Sequence, residues 1–300
     1  MKPFEYIAPT TVGEAVAWLT EKRDRARPLA GGTDLIVQLR RNVLNVDLIV
    51  DVKKIPELNT ITYHPSAGLT VGAAVPCCRI IEHEDIIKTY PGLVDAVSLI
   101  GGTGIRNRAT IGGNLCNAAP SGDSIPAMII LEATCTIAGP AGVRTAPVEN
   151  FCTAPGKTIL TGGEMLVSIH FPPPVAHSGA CYLRFIPRHE MDIAVVGVGA
   201  RVDLSGDLQK IVSARIALGA VAPTPLLVQE AGDLLKGKVP SDTVFSQASV
   251  LALEAALPIT DVRGTLVYRR HLVGVLTGRA LLGAADRARQ QREEVMEHGN

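Results

Sequence analysis

The chain has 300 residues with 29 Lys+Arg against 29 Asp+Glu, and a formal net charge of zero leaves no electrostatic case for nucleic acid or an anionic membrane. Aromatic residues make up 4% of it, too few for a base-stacking platform, and no apolar run approaches the roughly 20 residues that span a bilayer. Such a length and composition suit a soluble protein of two or three domains. The opening Met1-Lys-Pro-Phe-Glu-Tyr6 lacks the basic and apolar regions of a signal peptide, so a cytoplasmic location is expected. Six cysteines at 77, 78, 116, 135, 152 and 181 form no Cys-x-x-Cys pair and no zinc or iron–sulfur spacing. Free thiols, and no metal held by this chain, are expected.

In chain order, residues Phe4–Pro9 read as a short strand. Thr11-Val-Gly-Glu14 has the form of a capping box before a helix carrying Ala15, Val16, Trp18 and Leu19. Arg27–Ala30 reads as a strand, Asp34–Arg40 as a helix, Asp47–Asp51 as the next strand and Ile55–Leu58 as a turn. A second unit is expected from Asn59, with a strand pair at Ile61–Tyr63 and Leu69–Gly72 around the turn at Pro65–Gly68. Helical segments are expected at Cys77–Glu82, Gly92–Leu99 and Ser124–Glu132, a strand at Thr134–Ala138, and a helical turn at Val148–Phe151. Glu164–Phe171 alternates like an edge strand. Pro172-Pro-Pro174 followed by His177-Ser-Gly179 is stiff and then flexible, the best domain boundary in the chain. Beyond it, strands are expected at Gly179–Phe185, Ile193–Asp203 and Lys210–Leu218, the last two a hairpin about Ser205-Gly-Asp207. Helices at Pro225–Lys236, Asp242–Ala256 and Thr265–Ala288 follow, then a charged, frayed tail.

Two glycine pairs carry the functional signal. Ala30-Gly-Gly-Thr-Asp34 stands between a strand and a helix, and Thr110-Ile-Gly-Gly-Asn114 precedes a polar rim ending at Asp123. Paired glycines let backbone N–H groups approach a ligand closely, and successive free N–H groups suit phosphate oxygens. Asp123 is placed to accept from a ribose or similar hydroxyl. Two such loops suggest a ligand with two phosphates.

These loops, with Glu164–Pro172 and Arg188-x-x-x-Asp-Ile-Ala194 in that order, resemble the FAD-binding medium subunit of the molybdenum hydroxylases. That family includes carbon monoxide dehydrogenase, nicotinate dehydrogenase and the flavin domain of xanthine dehydrogenase. The resemblance covers residues 1 to about 285. It implies an α+β fold: a two-subdomain FAD-binding (PCMH/VAO-like) N-terminal domain, then a C-terminal antiparallel sheet with a helix bundle. Subdomains over 1–58 and 59–174 would clasp FAD, a C-terminal domain would span 178–285, and 286–300 would be the tail. The implied cofactor residues are Leu29, Ala30, Gly31, Gly32, Thr33, Asp34 and Leu35 on one side, and Thr110, Ile111, Gly112, Gly113 and Asn114 on the other. Asp123 matches the family carboxylate at FAD hydroxyls, and Leu166 an apolar residue near the flavin ring. Ile100 falls where the xanthine enzymes carry an aromatic. Arg184 falls where they carry a lysine, keeping the charge in a bulkier, planar group.

The resemblance also implies a molybdenum-cofactor large subunit and a [2Fe-2S] small subunit, as a dimer of heterotrimers. FAD would pass electrons from the clusters to an external acceptor, so no acid–base side chain is demanded of this chain. No cysteine-bearing insertion for a [4Fe-4S] cluster is found. A stand-alone flavin reductase or oxidase and a cofactor-free assembly scaffold are the rival readings. The first needs its own acid–base set; the second needs a colourless protein. Residue by residue, simpler readings stand alongside. Gly31-Gly32 can close a strand-to-helix turn, Asp123 can cap the helix at Ser124, and Cys116 can be a packed thiol. Arg106 and Arg108 can steer phosphate or form salt bridges, Arg188 and Asp192 an ion pair, and His189 a surface group.

Overall fold

A computed structural model describes residues 2–188 and 190–297; the expected surface group His189 and the last three residues of the expected tail lie outside them. The first sheet is wholly parallel, in the order β1 (Glu5–Ile7), β3 (Leu48–Asp51), β2 (Ala26–Leu29). β3 is central and every residue of it is buried, as a strand covered on both faces requires. Helix α1 (Val12–Lys22) links β1 to β2, and its N-cap is the expected one: Thr11 Oγ1 accepts from Glu14 N at 3.2 Å. The Glu14 carboxylate reaches back to Thr10 N at 2.9 Å, one residue earlier than a standard capping box. Helix α2 (Leu35–Arg40) joins β2 to β3.

The second sheet is antiparallel, in the order β4 (Ile61–His64), β5 (Gly68–Gly72), β10 (Met165–Phe171), β6 (Thr134–Gly139), β7 (Gly142–Pro147). Between β5 and β6 run the short helices α3 (Cys77–Ile81), α4 (Glu84–Thr89), α5 (Pro91–Ser98), α6 (Thr103–Arg106), α7 (Ile111–Asn117) and α8 (Ser124–Ile130). A small hairpin, β8 (Cys152–Ala154) with β9 (Lys157–Thr158), precedes β10. The expectation of an edge strand at Glu164–Phe171 is corrected, because β10 lies at the centre of its sheet. Its polar positions are matched by polar cross-strand neighbours rather than by solvent. His170 faces Thr70 and Thr134, with Nδ1 3.1 Å from Thr70 Oγ1, and Ser168 faces Thr136. Leu166, Ile169 and Phe171 enter the main core, whereas Met165 and Val167 pack against the first sheet's core.

The third sheet runs β11 (Ser178–Phe185), β12 (Val196–Leu204), β13 (Ile211–Gly219), β14 (Leu226–Leu227), all antiparallel. The β12–β13 turn is closed as expected: Ser205 Oγ donates to Asp207 Oδ1 at 2.6 Å and accepts from Lys210 N at 3.0 Å. Helices α9 (Gln229–Leu235), on β13, and α11 (Leu266–Glu297), on β11 and β12, cover this sheet, and α10 (Asp242–Ala255) packs against both helices. The residues at the start of the expected tail belong to the core. Ala288 is fully buried, and Arg287 Nη1 donates to Asp95 Oδ2 at 2.5 Å and to Ala180 O at 2.6 Å. A buried cation joins the sheet to the preceding layer as well. Arg201 forms a forked pair with Asp203, both bonds 2.9 Å, and donates to Glu132 at 2.7 Å. Among the described residues no helix is long and apolar enough to cross a membrane.

Candidate cofactor site

The turn at Gly31-Gly32 and the start of α7 face each other across a cleft of about 1160 Å³. Each glycine of the first pair has its own reason. Gly32 has φ +77°, in the left-handed region that a side chain resists. Gly31 does not, but a Cβ there would lie 2.1 Å from the carbonyl oxygen of Arg108. It is the point where the first wall meets the second.

The second pair is not in a loop. Thr110 caps α7, its Oγ1 accepting from Gly113 N at 2.8 Å, and Gly112 and Gly113 lie in the helix's first turn. Gly112 is required by packing: a Cβ would lie 2.5 Å from Ala73 O. Gly113 is nearly free of such a demand, its nearest neighbour being Thr110 Oγ1 at 3.0 Å. The first N–H groups of a helix have no intrahelical acceptor. Among the described residues those of Gly32, Thr33, Asp34 and Gly112 have no other one.

Of the expected residues, Ala30, Gly31, Gly32, Thr33, Asp34 and Leu35 line one wall, and Thr110, Gly112, Gly113 and Asn114 the other. Ile100 and Leu166 add apolar surface to the same cleft. Leu29 and Ile111 lie behind the lining, Ile111 fully buried in the main core. Asp123 and Arg184 also lie outside it, bound to each other: Arg184 Nη1 donates to Asp123 Oδ2 at 2.6 Å and Tyr182 Oη to Asp123 Oδ1 at 2.9 Å. Asp123 makes no side-chain cap bond to α8. Burial pushes its carboxyl up to about 6, against the opposing pull of Arg184 and Tyr182.

Sequence reasoning missed the rest of the wall. The hairpin and the turn that follows it bring Thr153, Lys157, Thr158 and Gly162 to the cleft. Arg144 holds this segment, with Nε and Nη2 on the Glu164 carboxylate at 2.6 and 2.8 Å and Nη2 on Ile159 O at 3.1 Å. The available signal was another glycine pair, Gly162-Gly163, whose second member has φ +89°. Gln38 and Asn117 were missed too; both line the cleft and are joined across it, Gln38 Nε2 donating to Asn117 Oδ1 at 3.0 Å. Arg106 is not at the lining and pairs with no carboxylate among the described residues; its Nη1 donates to Gly101 O at 3.0 Å and Ile100 O at 3.3 Å. Arg188 pairs with Asp192 at 3.2 Å. Cys116 lines the cleft, and burial pushes its thiol up to about 12, an inert state. Among the described residues no three His, Cys, Asp or Glu side chains are grouped to hold a metal.

These features fit a dinucleotide. The volume exceeds the roughly 300–1,000 Å³ of ordinary small-molecule pockets, residues with N–H groups that lack an acceptor among the described residues line both walls, and apolar surface is at hand for a ring system. Residues 2–174 match the family described as the FAD binding domain in molybdopterin dehydrogenase, and 181–284 match the CO dehydrogenase flavoprotein C-terminal domain. The xanthine dehydrogenase FAD-binding subunit of Escherichia coli O157:H7 is 34% identical over 278 residues, covering 92% of this chain and 94% of that one. The carbon monoxide dehydrogenase medium chain of Hydrogenophaga pseudoflava is 32% identical over 281 residues, covering 94% and 96%. A solved structure of carbon monoxide dehydrogenase from that organism, lacking the Mo-pyranopterin moiety, superposes with a TM-score of 0.91 at 32% identity, covering 96% of this chain and 99% of that one. With both family models matched in order along nearly its whole length, the chain belongs to the FAD-binding medium subunits of the molybdenum hydroxylases.

Proposed function

We propose that this chain holds FAD in the cleft and relays electrons from the [2Fe-2S] clusters of a partner subunit to an external acceptor. The observation that carries the reading is the cleft itself, with unpaired N–H donors on both walls and the apolar surface of Ile100 and Leu166 in one space. When bound, FAD supplies the capacity to take up and release one or two electrons, which no side chain here provides.

The chain's own residues bind, orient and shield. Ala30–Leu35 on one wall and Thr110 with Gly112–Asn114 on the other hold a diphosphate, the donors on offer being the N–H groups of Gly32, Thr33, Asp34 and Gly112, since those of Gly113 and Asn114 are engaged by Thr110. Ile100 and Leu166 keep water from a ring system, and the Gln38–Asn117 bond sets the spacing of the walls. Leu29 and Ile111 support these turns from behind. The wider reading is a cytoplasmic assembly with a molybdenum-cofactor large subunit and a [2Fe-2S] small subunit, as a dimer of heterotrimers. Relatives named as medium chains of carbon monoxide dehydrogenase support it. The cofactor-clasping units would be 1–58 and 59–174, with 178–285 a third, consistent with the three larger sheets falling one in each.

The test is the visible spectrum of the purified chain, with identification of any cofactor released on heating. A flavin band with about one FAD per chain is expected. A colourless chain that takes up no added FAD, even with its partner subunits present, would refute the reading.

A further inference from the structure

We infer that Arg184 and Tyr182, on the first strand of the C-terminal sheet, are positioning residues for the cofactor cleft, acting through Asp123, Ser124 and Asn114. The inference rests on the proposed FAD site. The contacts are continuous. Tyr182 and Arg184 stand two apart on β11 and so share one face of it, and together they occupy both oxygens of Asp123, at 2.9 and 2.6 Å. The next residue, Ser124, is fully buried, and its Oγ donates to Asn114 Oδ1 at 2.7 Å. Gly122 presses on the same atom, since a Cβ there would lie 3.0 Å from Asn114 Oδ1. Asn114 lines the cleft beside Gly113. With its oxygen engaged from behind, its Nδ2 group is the end left to donate into the cleft.

The pair is built for geometry more than for stability. Arg184 and Asp123 side chains are 4% and 10% exposed, and at that depth desolvation offsets most of the attraction between two charges. Arg184 Nε is buried with no acceptor among the described residues, a cost that a purely structural pair gains nothing by keeping. The strand that presents the pair is also held through its backbone: Asp95 of α5 accepts from Tyr182 N at 3.1 Å and pairs with Arg287 of α11. The titratable groups facing Asp123 are thus Arg184 and Tyr182. Asp95 and Arg287 lie beyond the Tyr182 backbone, and Asn114 and Ser124 carry no charge. Burial lifts the Asp123 carboxyl to about 6, so its charge is lost, and the Arg184 contact weakened, as pH falls through that value.

The experiment follows FAD release from the loaded full-length chain by flavin fluorescence after dilution. Arg184→Met and Ser124→Ala are each expected to speed release about tenfold, the scale of one charge-assisted hydrogen bond. Arg184→Lys should restore most of the loss, because a single N–H contact and a charge are what it must supply. The Arg184→Met/Ser124→Ala double variant should release no faster than the faster single, since both cut one path. Unchanged release, or effects that multiply in the double variant, would overturn the inference. Should Arg184→Met fail to fold, the pH response decides. Wild-type release should rise between pH 7.5 and 5.5 while that of Ser124→Ala stays nearly flat; equal responses would overturn it. A wild-type chain that takes up no FAD overturns the proposed function along with this inference. A wild-type chain that holds FAD beside unaffected variants overturns this inference alone.

Discussion

Replacing Gly112 by alanine separates packing from cofactor binding at the second glycine pair. The added Cβ would lie 2.5 Å from Ala73 O and 2.7 Å from both Ala73 Cα and Cβ. None of these atoms is the end of a flexible side chain, so α7 and the segment after β5 must move apart. Overpacking of this kind costs about 1–3 kcal/mol, and backbone neighbours place it near 3. Alanine's better helix propensity returns about 1 kcal/mol, leaving a net loss of about 2 kcal/mol. At an m-value of about 3 kcal/mol/M the urea midpoint of the cofactor-free chain should fall by about 0.7 M. Gly113→Ala is the control, because its one close neighbour is a threonine hydroxyl at 3.0 Å that can shift slightly. Its midpoint should stay within about 0.3 M of wild type, the propensity gain offsetting the crowding. Equal midpoints for the two variants would refute the assignment of Gly112 to packing.

Thr110→Ala removes the cap of α7 and should cost about 1 kcal/mol while weakening FAD affinity, both readable from denaturation with and without added FAD. Arg201→Met leaves the buried Asp203 carboxylate unpaired and should cost about 3–5 kcal/mol; a loss below 1 kcal/mol by thermal denaturation would contradict the reading of Arg201 as the counter-charge that buried Asp203 requires. Arg144 holds the Glu164 carboxyl down to about 2 from its ordinary 4.5. A depressed carboxyl contributes stability that is present above 4.5 and lost as pH falls from there toward 2. Because Arg144 is 41% exposed, the contribution is below about 1 kcal/mol, and Glu164→Gln should flatten the acid limb of the stability profile between those values.

The elements with a clear hydrophobic period were legible: α1 with its Thr11 cap, the β4–β5 pair, the β12–β13 hairpin and α10. Those that escaped lack such a period. β7 is exposed at four of its first five residues, with Val143 facing outward at 72%, so no alternation marks it. α7 carries two glycines and two asparagines, poor helix formers, and is helical because Thr110 caps it and Gly112 lets it approach Ala73. β10 reads as an edge because its polar residues bond across the sheet rather than to water, as His170 does to Thr70. The two glycine pairs stood out in the sequence and line one cleft, but the second reads there as a loop and is the first turn of α7. The pairing of Asp123 with Tyr182 and Arg184 spans 59 and 61 residues, and no local pattern announces a contact of that range. The hairpin wall at 153–162 and the Gln38–Asn117 bond depend on tertiary placement in the same way.

The relay itself is tested by mixing the FAD-loaded chain, in excess of any chemical reductant, with a [2Fe-2S] partner subunit reduced beforehand, and following the flavin absorbance in a stopped-flow instrument. Bleaching of the flavin band that tracks reoxidation of the clusters, and recovery of the band on adding an electron acceptor, is the result this account predicts. A flavin band that stays oxidised while the partner remains reduced in the assembled complex would contradict it.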